Sequence, residues 1–334
     1  MQTVVVGASG YSGGQLLKLI KNHPYMELKA AVANSKAGSF VQSEHKFLNN
    51  YQDERFKAFE EVKFDDEDLV FLALPHGESA RLVSKIPNAC KIIDLGADFR
   101  LEDSQTWKKY YLTDHAGTWT YGLPELKGQR EKIRSSQRIA NPGCYATLIT
   151  LSLAPFLEAE IMDLKMITIT AASGTTGAGK KSNDNLLASE IMGNLSNYKL
   201  GGTHQHIPEI EQTLTSIKKS EVKINFNPML APMPRGILAN SNFVLNSSKS
   251  ISQLQNIFRS YYKNEQFVKL SILDNISTSQ TLDNNLSMFK LFLDERTNVV
   301  TISSTLDNLI KGAAGQAIQN ANIINNWPEE TGLL

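Results

Sequence analysis

The sequence predicts an α/β chain in two domains. An N-terminal unit is built on a parallel sheet, and an α+β unit with a mainly antiparallel sheet follows it. Three observations carry this. First, Thr3-Val4-Val5-Val6 and residues 68–74 and 91–95 are nearly continuous apolar runs, the pattern of strands buried on both faces. Second, Leu16, Leu17, Leu19 and Ile20 mark a helix soon after the first run, with a glycine-rich turn between. Third, residues 165–171 alternate Ile with Thr, the pattern of a strand exposed on one face.

A length of 334 residues fits two domains. The expected division is 1–141 with 305–334, and 142–304. The second part of the first domain is a helix opening at residue 307 and running to about Asn325. Its small residues allow close packing on the N-terminal half.

The composition, 41% hydrophobic and 20% charged, is that of a globular protein. A formal net charge of zero recommends neither nucleic acid nor an anionic membrane as partner. No apolar run is long enough to span a bilayer, and the N-terminus passes into a strand without a secretory pattern. A cytoplasmic protein is expected. The cysteines are Cys90 and Cys144, both expected to stay reduced. Cys90 precedes Ile92-Ile93 and reads as structural. No Cys/His cluster has zinc-ligand spacing, so no metal is expected.

The first run leads into Gly7-Ala8-Ser9-Gly10-Tyr11-Ser12-Gly13-Gly14 and then a helix. Strand, glycine turn and helix form the context in which backbone approaches a pyrophosphate. Gly7, Ser9, Gly10, Tyr11, Ser12 and Gly13 are the expected dinucleotide contacts. A strand over residues 27–33 ends in Asn34-Ser35-Lys36. An NAD site would place an acid there; a hydroxyl and a cation suit the 2′-phosphate of NADP. A solvated loop is the other reading. The third run ends in the loop Pro75-His76-Gly77-Glu78-Ser79, at a strand's carboxyl end where ligands collect. Arg100, after the fourth run, could grip an anion or pair with Asp98 or Glu102. Residues 107–121 are aromatic and read as an irregular packed loop.

Arg138-Ile139-Ala140 reads as a short strand, and residues 147–157 as a buried helix. Between them stands Asn141-Pro142-Gly143-Cys144-Tyr145-Ala146. Pro142 and Gly143 force a sharp turn, which puts Cys144 in the first turn of the helix. Free N–H groups and the helix dipole there favour a thiolate and could hold an oxyanion. The alternative is a small buried apolar residue.

Further on, Ser173-Gly174-Thr175-Thr176-Gly177-Ala178-Gly179-Lys180 has nearly the spacing of a mononucleotide phosphate loop. Lys181 stands where a magnesium-binding hydroxyl is required, so a loop closing over cofactor or substrate is the better reading. His204 and His206 lie in one dense stretch and would share a face if extended. Glu209 is near enough to fix a tautomer. Thiol, histidine and carboxylate make a nucleophile with an acid–base partner; two loop histidines are the alternative. Residues 228–236 hold three prolines and a candidate anion ligand, Arg235. Residues 298–302 read as a strand.

These stretches together resemble the N-acetyl-γ-glutamyl-phosphate reductases of arginine biosynthesis. The resemblance runs nearly end to end, through GASGYSGG, FLALPHG, IDLGADFR, YGLPEL, NPGCYAT, SGTTGAG, HIPEIEQ, PMPRGIL and DNLIKGAAGQA. It implies an NADPH-dependent reductase with an N-terminal Rossmann domain, a catalytic and dimerisation domain, a cysteine nucleophile and a homo-oligomer. The nucleophile maps to Cys144 and the acid–base group to His206, with Glu209 in the same motif. Cofactor contacts are expected also at Ser35, Lys36, Pro75, Ser173, Gly174 and Asn308. Substrate contacts are expected at Arg100, Asn141, His204 and Arg235. The sequence departs from the family in three places. Gln205 replaces an arginine between the histidines. Residues 275–287 lack the family's glycine and arginine. Asn34-Ser35-Lys36 stands where an arginine is frequent. The rival readings are the same chemistry on N-succinyl-glutamyl phosphate or on aspartyl phosphate, the latter that of aspartate-semialdehyde dehydrogenases, and a non-catalytic NADP-binding sensor.

Overall fold

The structure is a computed structural model that describes residues 1–180 and 187–333. Lys181 therefore lies outside the described residues. The chain divides into two compact units: Met1–Gly143 with Ala313–Leu334, and Cys144–Gly312.

The first unit runs β1 (Gln2–Val6), α1 (Tyr11–Lys21), β2 (Glu27–Val32), α2 (Val41–Glu44), β3 (Leu69–Leu72), α3 (Glu78–Leu82), β4 (Lys91–Asp94), α4 (Ser104–Tyr111), β5 (Thr120–Tyr121), α5 (Gln129–Arg134) and β6 (Arg138–Ala140). Its sheet has the order β2-β1-β3-β4-β6-β5 and every pairing is parallel. The direction of winding reverses between β1 and β3, the place where open α/β sheets bind ligands. Val4, Val5, Leu69, Val70, Phe71 and Ile92 are wholly buried, which is why these strands show no polar alternation.

Of the irregular loop expected over residues 107–121, residues 112–119 are irregular, while 107–111 end a helix and 120–121 form β5. Residues 104–111 form α4, whose first turn is capped by Asp103: its carboxylate accepts the Thr106 N–H at 2.7 Å. Trp107 and Tyr111, one turn apart, stack at 4.0 Å on one helix face, while Trp119 stacks on Phe99 at 3.8 Å.

The second unit runs α6 (Cys144–Glu158), β7 (Met162–Ser173), α7 (Ala188–Ile191), β8 (Ser196–Asn197), α8 (His206–Lys218), β9 (Asn225–Leu230), β10 (Ile237–Leu245), α9 (Ile251–Tyr261), β11 (Val268–Leu270), β12 (Ser287–Asp294) and β13 (Val299–Leu306). Its sheet has the order β11-β12-β13-β10-β7-β9-β8. It is antiparallel except at the β11–β12 and β7–β9 pairs. Every residue of α6 from Tyr145 to Leu157 is buried, consistent with an apolar helix that has no polar stripe. This helix covers Ile167, Ile169, Phe243 and Ile302, on one face of the sheet. The opposite face presents Met166, Asn240, Val244 and Phe292 in exposed positions.

Residues 305–312 sit with the second unit, since β13 continues to Leu306 and Asn308 bonds inside it. The single helix expected from residue 307 is a π-helical turn, Ile310–Ala314, followed by α10 (Gly315–Ile324). The chain crosses back to the first unit within that turn, and α10 packs on α1 and α5.

Candidate active site

In the first unit the glycine turn is tied to the end of β2. Gly7 and Ala8 both donate to the Val32 carbonyl, at 3.0 and 2.9 Å. Gly7 has φ +82, and a Cβ there would stand 2.2 Å from the Ala73 carbonyl oxygen, so no other residue fits. No side chain caps α1 at Gly10, and its first turn contains no acid. A helix start with neither a side-chain cap nor an acid suits a pyrophosphate.

The strand β2 runs into a 3₁₀ turn, Asn34–Lys36. Asn34 accepts the Phe59 N–H at 2.9 Å, while Ser35 and Lys36 face solvent. The Lys36 ammonium stands 2.6 Å from the Glu44 carboxylate. The loop opened by Pro75 is set by a buried acid. Asp98 accepts the N–H of Gly77 at 2.7 Å and of Ala80 at 2.9 Å, capping α3. Beside it Asp94, wholly buried, accepts the Ser79 hydroxyl at 2.6 Å and the Gly96 N–H at 3.0 Å. Burial is the main reason its carboxyl rises to about 7.

Two residues expected to meet substrate are engaged as braces. Arg100 is buried, and its guanidinium donates to the carbonyls of Asn141 at 2.7 Å and Leu95 at 2.8 Å. Asn141 donates to the Ala313 carbonyl and accepts from Asn320. Both hold the turn that precedes Cys144.

In the second unit Cys144 is the first residue of α6 and is partly exposed. The helix α8 packs along α6 and begins at His206. Both helices therefore open at one place. The ring of Tyr145 lies 5.4 Å from His204, 5.9 Å from His206 and 5.0 Å from Phe226, centre to centre. The two imidazoles are 5.0 Å apart and steeply inclined. The chain is not extended here: Gln205 is helical, and the rings meet because α8 starts between them.

His204 accepts the His206 backbone N–H on Nδ1, at 3.1 Å. Its proton is therefore on Nε2. Burial first, then the charges of His206 and Lys199, hold its pKa down to about 2, against the opposing pull of Glu209. Glu209 is buried in the first turn of α8. Gln205 accepts from the Lys199 ammonium. A cation thus stands beside the position where the family commonly has arginine, supplied from elsewhere in the chain.

A line of hydroxyls leaves the same place. Tyr198 donates to Tyr145 at 3.0 Å, Tyr145 bonds Ser173, and Ser173 donates to the Gly174 carbonyl. Burial pushes both phenols up, so they stay protonated. Gly174 opens a 3₁₀ turn, Thr175–Ala178. Asn308 pins this turn, donating to Thr176 at 3.0 Å while accepting the Gly236 N–H at 2.8 Å. Arg235 is held by two carboxylates, Asp307 at 2.7 Å and Asp283 at 2.9 Å. It anchors the atypical segment 275–287, and would have to release a carboxylate to take substrate. The sequence gives no role to Lys199, Tyr198, Tyr145 and Gly312, and offers Asp98 only as a partner of Arg100 where it holds the Gly77 and Ala80 N–H groups; only the distances between elements reveal them. Among the described residues no group of three or more His, Cys, Asp or Glu could hold a metal ion.

A thiol that opens a helix, followed by a tyrosine packed on two imidazoles, comes after a dinucleotide-type domain in this chain, and both halves match one enzyme class. Residues 2–136 match the family model for a semialdehyde dehydrogenase NAD binding domain, and residues 144–308 that for a semialdehyde dehydrogenase dimerisation domain. The chain is a member of the semialdehyde dehydrogenase family. Among its relatives is the N-acetyl-gamma-glutamyl-phosphate reductase of Acidothermus cellulolyticus, 48% identical over 99% of this chain and 97% of the relative. That of Thermobifida fusca is 41% identical over 98% and 96%. Within the family, then, the chain belongs to the N-acetyl-γ-glutamyl-phosphate reductases.

Solved structures agree in fold. Aspartate semialdehyde dehydrogenase II of Vibrio cholerae superposes with a TM-score of 0.74 at 15% identity, over 97% of this chain and 98% of that one. The aspartate semialdehyde dehydrogenase of Candida albicans, solved with NADP, gives 0.69 at 16%, again over 97% and 98%.

Proposed function

We propose that this chain reduces N-acetyl-L-glutamyl 5-phosphate to N-acetyl-L-glutamate 5-semialdehyde and phosphate, in arginine biosynthesis in the cytoplasm. The observation that carries the proposal is Cys144 as the first residue of α6, where the ring of the next residue, Tyr145, lies 5.9 Å from that of His206, the first residue of α8. NADPH supplies the hydride.

The Cys144 thiolate attacks the acyl carbon of the mixed carboxylic–phosphoric anhydride. The carbon–oxygen bond breaks, phosphate leaves and a thioester remains on sulfur. Hydride addition to that carbon gives a tetrahedral oxyanion. The first turn of α6 is suited to hold it, because the N–H groups at a helix start point outward along the axis with no carbonyl of their own helix to bond. The carbon–sulfur bond then breaks, the aldehyde leaves and sulfur takes back a proton. His206 is the group assigned to this transfer. His204 is a poor acid, because its pKa near 2 keeps it neutral and Nδ1 is already an acceptor. It offers an Nε2–H donor instead. Ser35 and Lys36 are assigned to the 2′-phosphate, and the α1 turn to the pyrophosphate. The small-molecule partner is the acyl phosphate. A second copy of the chain is the assigned partner of the open sheet face of the second unit.

A panel of acyl phosphates tests the reading. Reduction of N-acetyl-glutamyl phosphate supports it. Turnover of aspartyl phosphate alone would assign the chain to the rival chemistry. A non-catalytic sensor would bind NADPH, reduce nothing, and keep Cys144 inert to iodoacetamide at neutral pH.

A further inference from the structure

The strand β2 ends without the acid that an NAD site uses, yet an acid reaches the same place from another element. Glu44, the last residue of α2, sits 2.6 Å from the Lys36 ammonium. Its side chain is only 17% exposed, against 45% for Lys36. The helix carrying it is not a loose surface turn. Val41 is wholly buried, and its N–H bonds the Glu54 carbonyl at 2.9 Å. His45, next in sequence, is buried and donates from Nε2 to the Ala8 carbonyl at 2.8 Å. A Cβ on Gly14 would stand 2.6 Å from the same ring, so this segment docks directly on the glycine turn. Lys36 is thus paired with one end of a short segment whose next residue, His45, is anchored on the glycine turn at Ala8.

We infer that Glu44 is a specificity-determining residue that competes with the 2′-phosphate of the dinucleotide for Lys36. The inference rests on the assignment of Lys36 as the 2′-phosphate cation. A phosphate arriving at Lys36 must displace a carboxylate of the same sign. Part of its attraction is spent on that exchange, and the displaced carboxylate stays within repulsion distance. NADH brings a hydroxyl instead, which a carboxylate can accept from. Glu44 therefore moderates the preference for NADPH and keeps some affinity for NADH. Its place on α2 explains why the end of β2 gives no sign of it.

The experiment is dinucleotide binding by the intact protein, followed by calorimetry and by quenching of NADPH fluorescence at low ionic strength. Four probes are used: NADPH, NADH, 2′,5′-ADP and 5′-AMP. Glu44→Gln removes the charge and keeps the shape; Glu44→Ala is the second variant, and thermal unfolding confirms that each is folded. Both should tighten NADPH and 2′,5′-ADP by about threefold to tenfold, the range for a partly exposed charge pair. Neither should tighten NADH or 5′-AMP. Lys36→Gln should weaken NADPH and 2′,5′-ADP and spare the other two. If Lys36→Gln leaves NADPH unchanged, the assignment of Lys36 fails and the inference with it. If Lys36→Gln weakens NADPH while the Glu44 variants bind it no more tightly than the parent, the competition alone is refuted.

Discussion

A Cβ on Gly312 would stand 2.6 Å from the Cβ of Cys144 and 3.2 Å from its Cα. The π-helical turn thus presses its bare backbone against the nucleophile. A π-helical turn is a local widening that recurs at functional sites. Here it delivers a residue without a side chain to the one place where the thiol needs room. Gly312→Ala should force Cys144 aside. Overpacking of this kind costs about 1–3 kcal/mol. We expect a lower unfolding temperature and a kcat reduced by at least about tenfold, since a small misplacement of a reacting atom is expensive. An unchanged kcat would mean that the turn does not seat the thiol.

The two histidines should separate by pH profile. His206→Asn should lower kcat by about 10²–10³-fold, the worth of general acid–base help, and flatten the pH-dependent limb of the profile. His204→Asn retains a side chain able to accept the His206 N–H, and should cost less. It should also keep the limb. The reverse pattern would make His204 the acid–base group.

Asp94 gives a pH dependence of stability. Its carboxyl stands at about 7 in the fold, above its ordinary 3.8. Between those values the folded state holds a proton that the unfolded state has released. Stability from this group is therefore full below about pH 4 and declines as pH rises towards 7. Ser79 and the Gly96 N–H face Oδ1, with the charges of Asp98 and Arg100 nearby. Asp94→Asn removes the decline. The difference in unfolding temperature, variant minus parent, should increase from pH 5 to pH 8. Parallel curves would refute the assignment.

The open sheet face should carry the dimer. Met166, Asn240, Val244 and Phe292 are exposed on it, from three strands. Charged replacement of Met166 and Val244 together should yield a folded monomer in sedimentation, with unchanged circular dichroism. A dimer of parental stability would place the interface elsewhere.

Much of this was legible in the sequence, for local reasons. Thr3–Val6 and Gly7–Gly14 state strand and turn within a dozen residues, and Pro142-Gly143 announces the start of α6. What the sequence hid depends on distance along the chain. Lys199 compensates Gln205 from six positions away, and Gly312 meets Cys144 across nearly the whole second unit. Arg100, Asn141 and Arg235 read as ligands because their chemistry suits anions. Nothing local shows that carbonyls, an amide and two carboxylates already hold them. The helix α4 was hidden by its aromatics, although Asp103 and Thr106 carry its cap. The turn at Ile310–Ala314 carries a helical pattern, and only packing against Cys144 distinguishes it.

The thioester is the centre of the account. Protein mixed with N-acetyl-glutamyl phosphate and no dinucleotide should release one phosphate per active site in a burst. Its intact mass should rise by one N-acetyl-glutamyl group, mapped by peptide digestion to Cys144 and reversed by hydroxylamine. Cys144→Ser should show neither burst nor adduct. A Cys144→Ser protein that reduces the acyl phosphate at near-native rate, or a parent protein that does so with no adduct at Cys144, would contradict the mechanism.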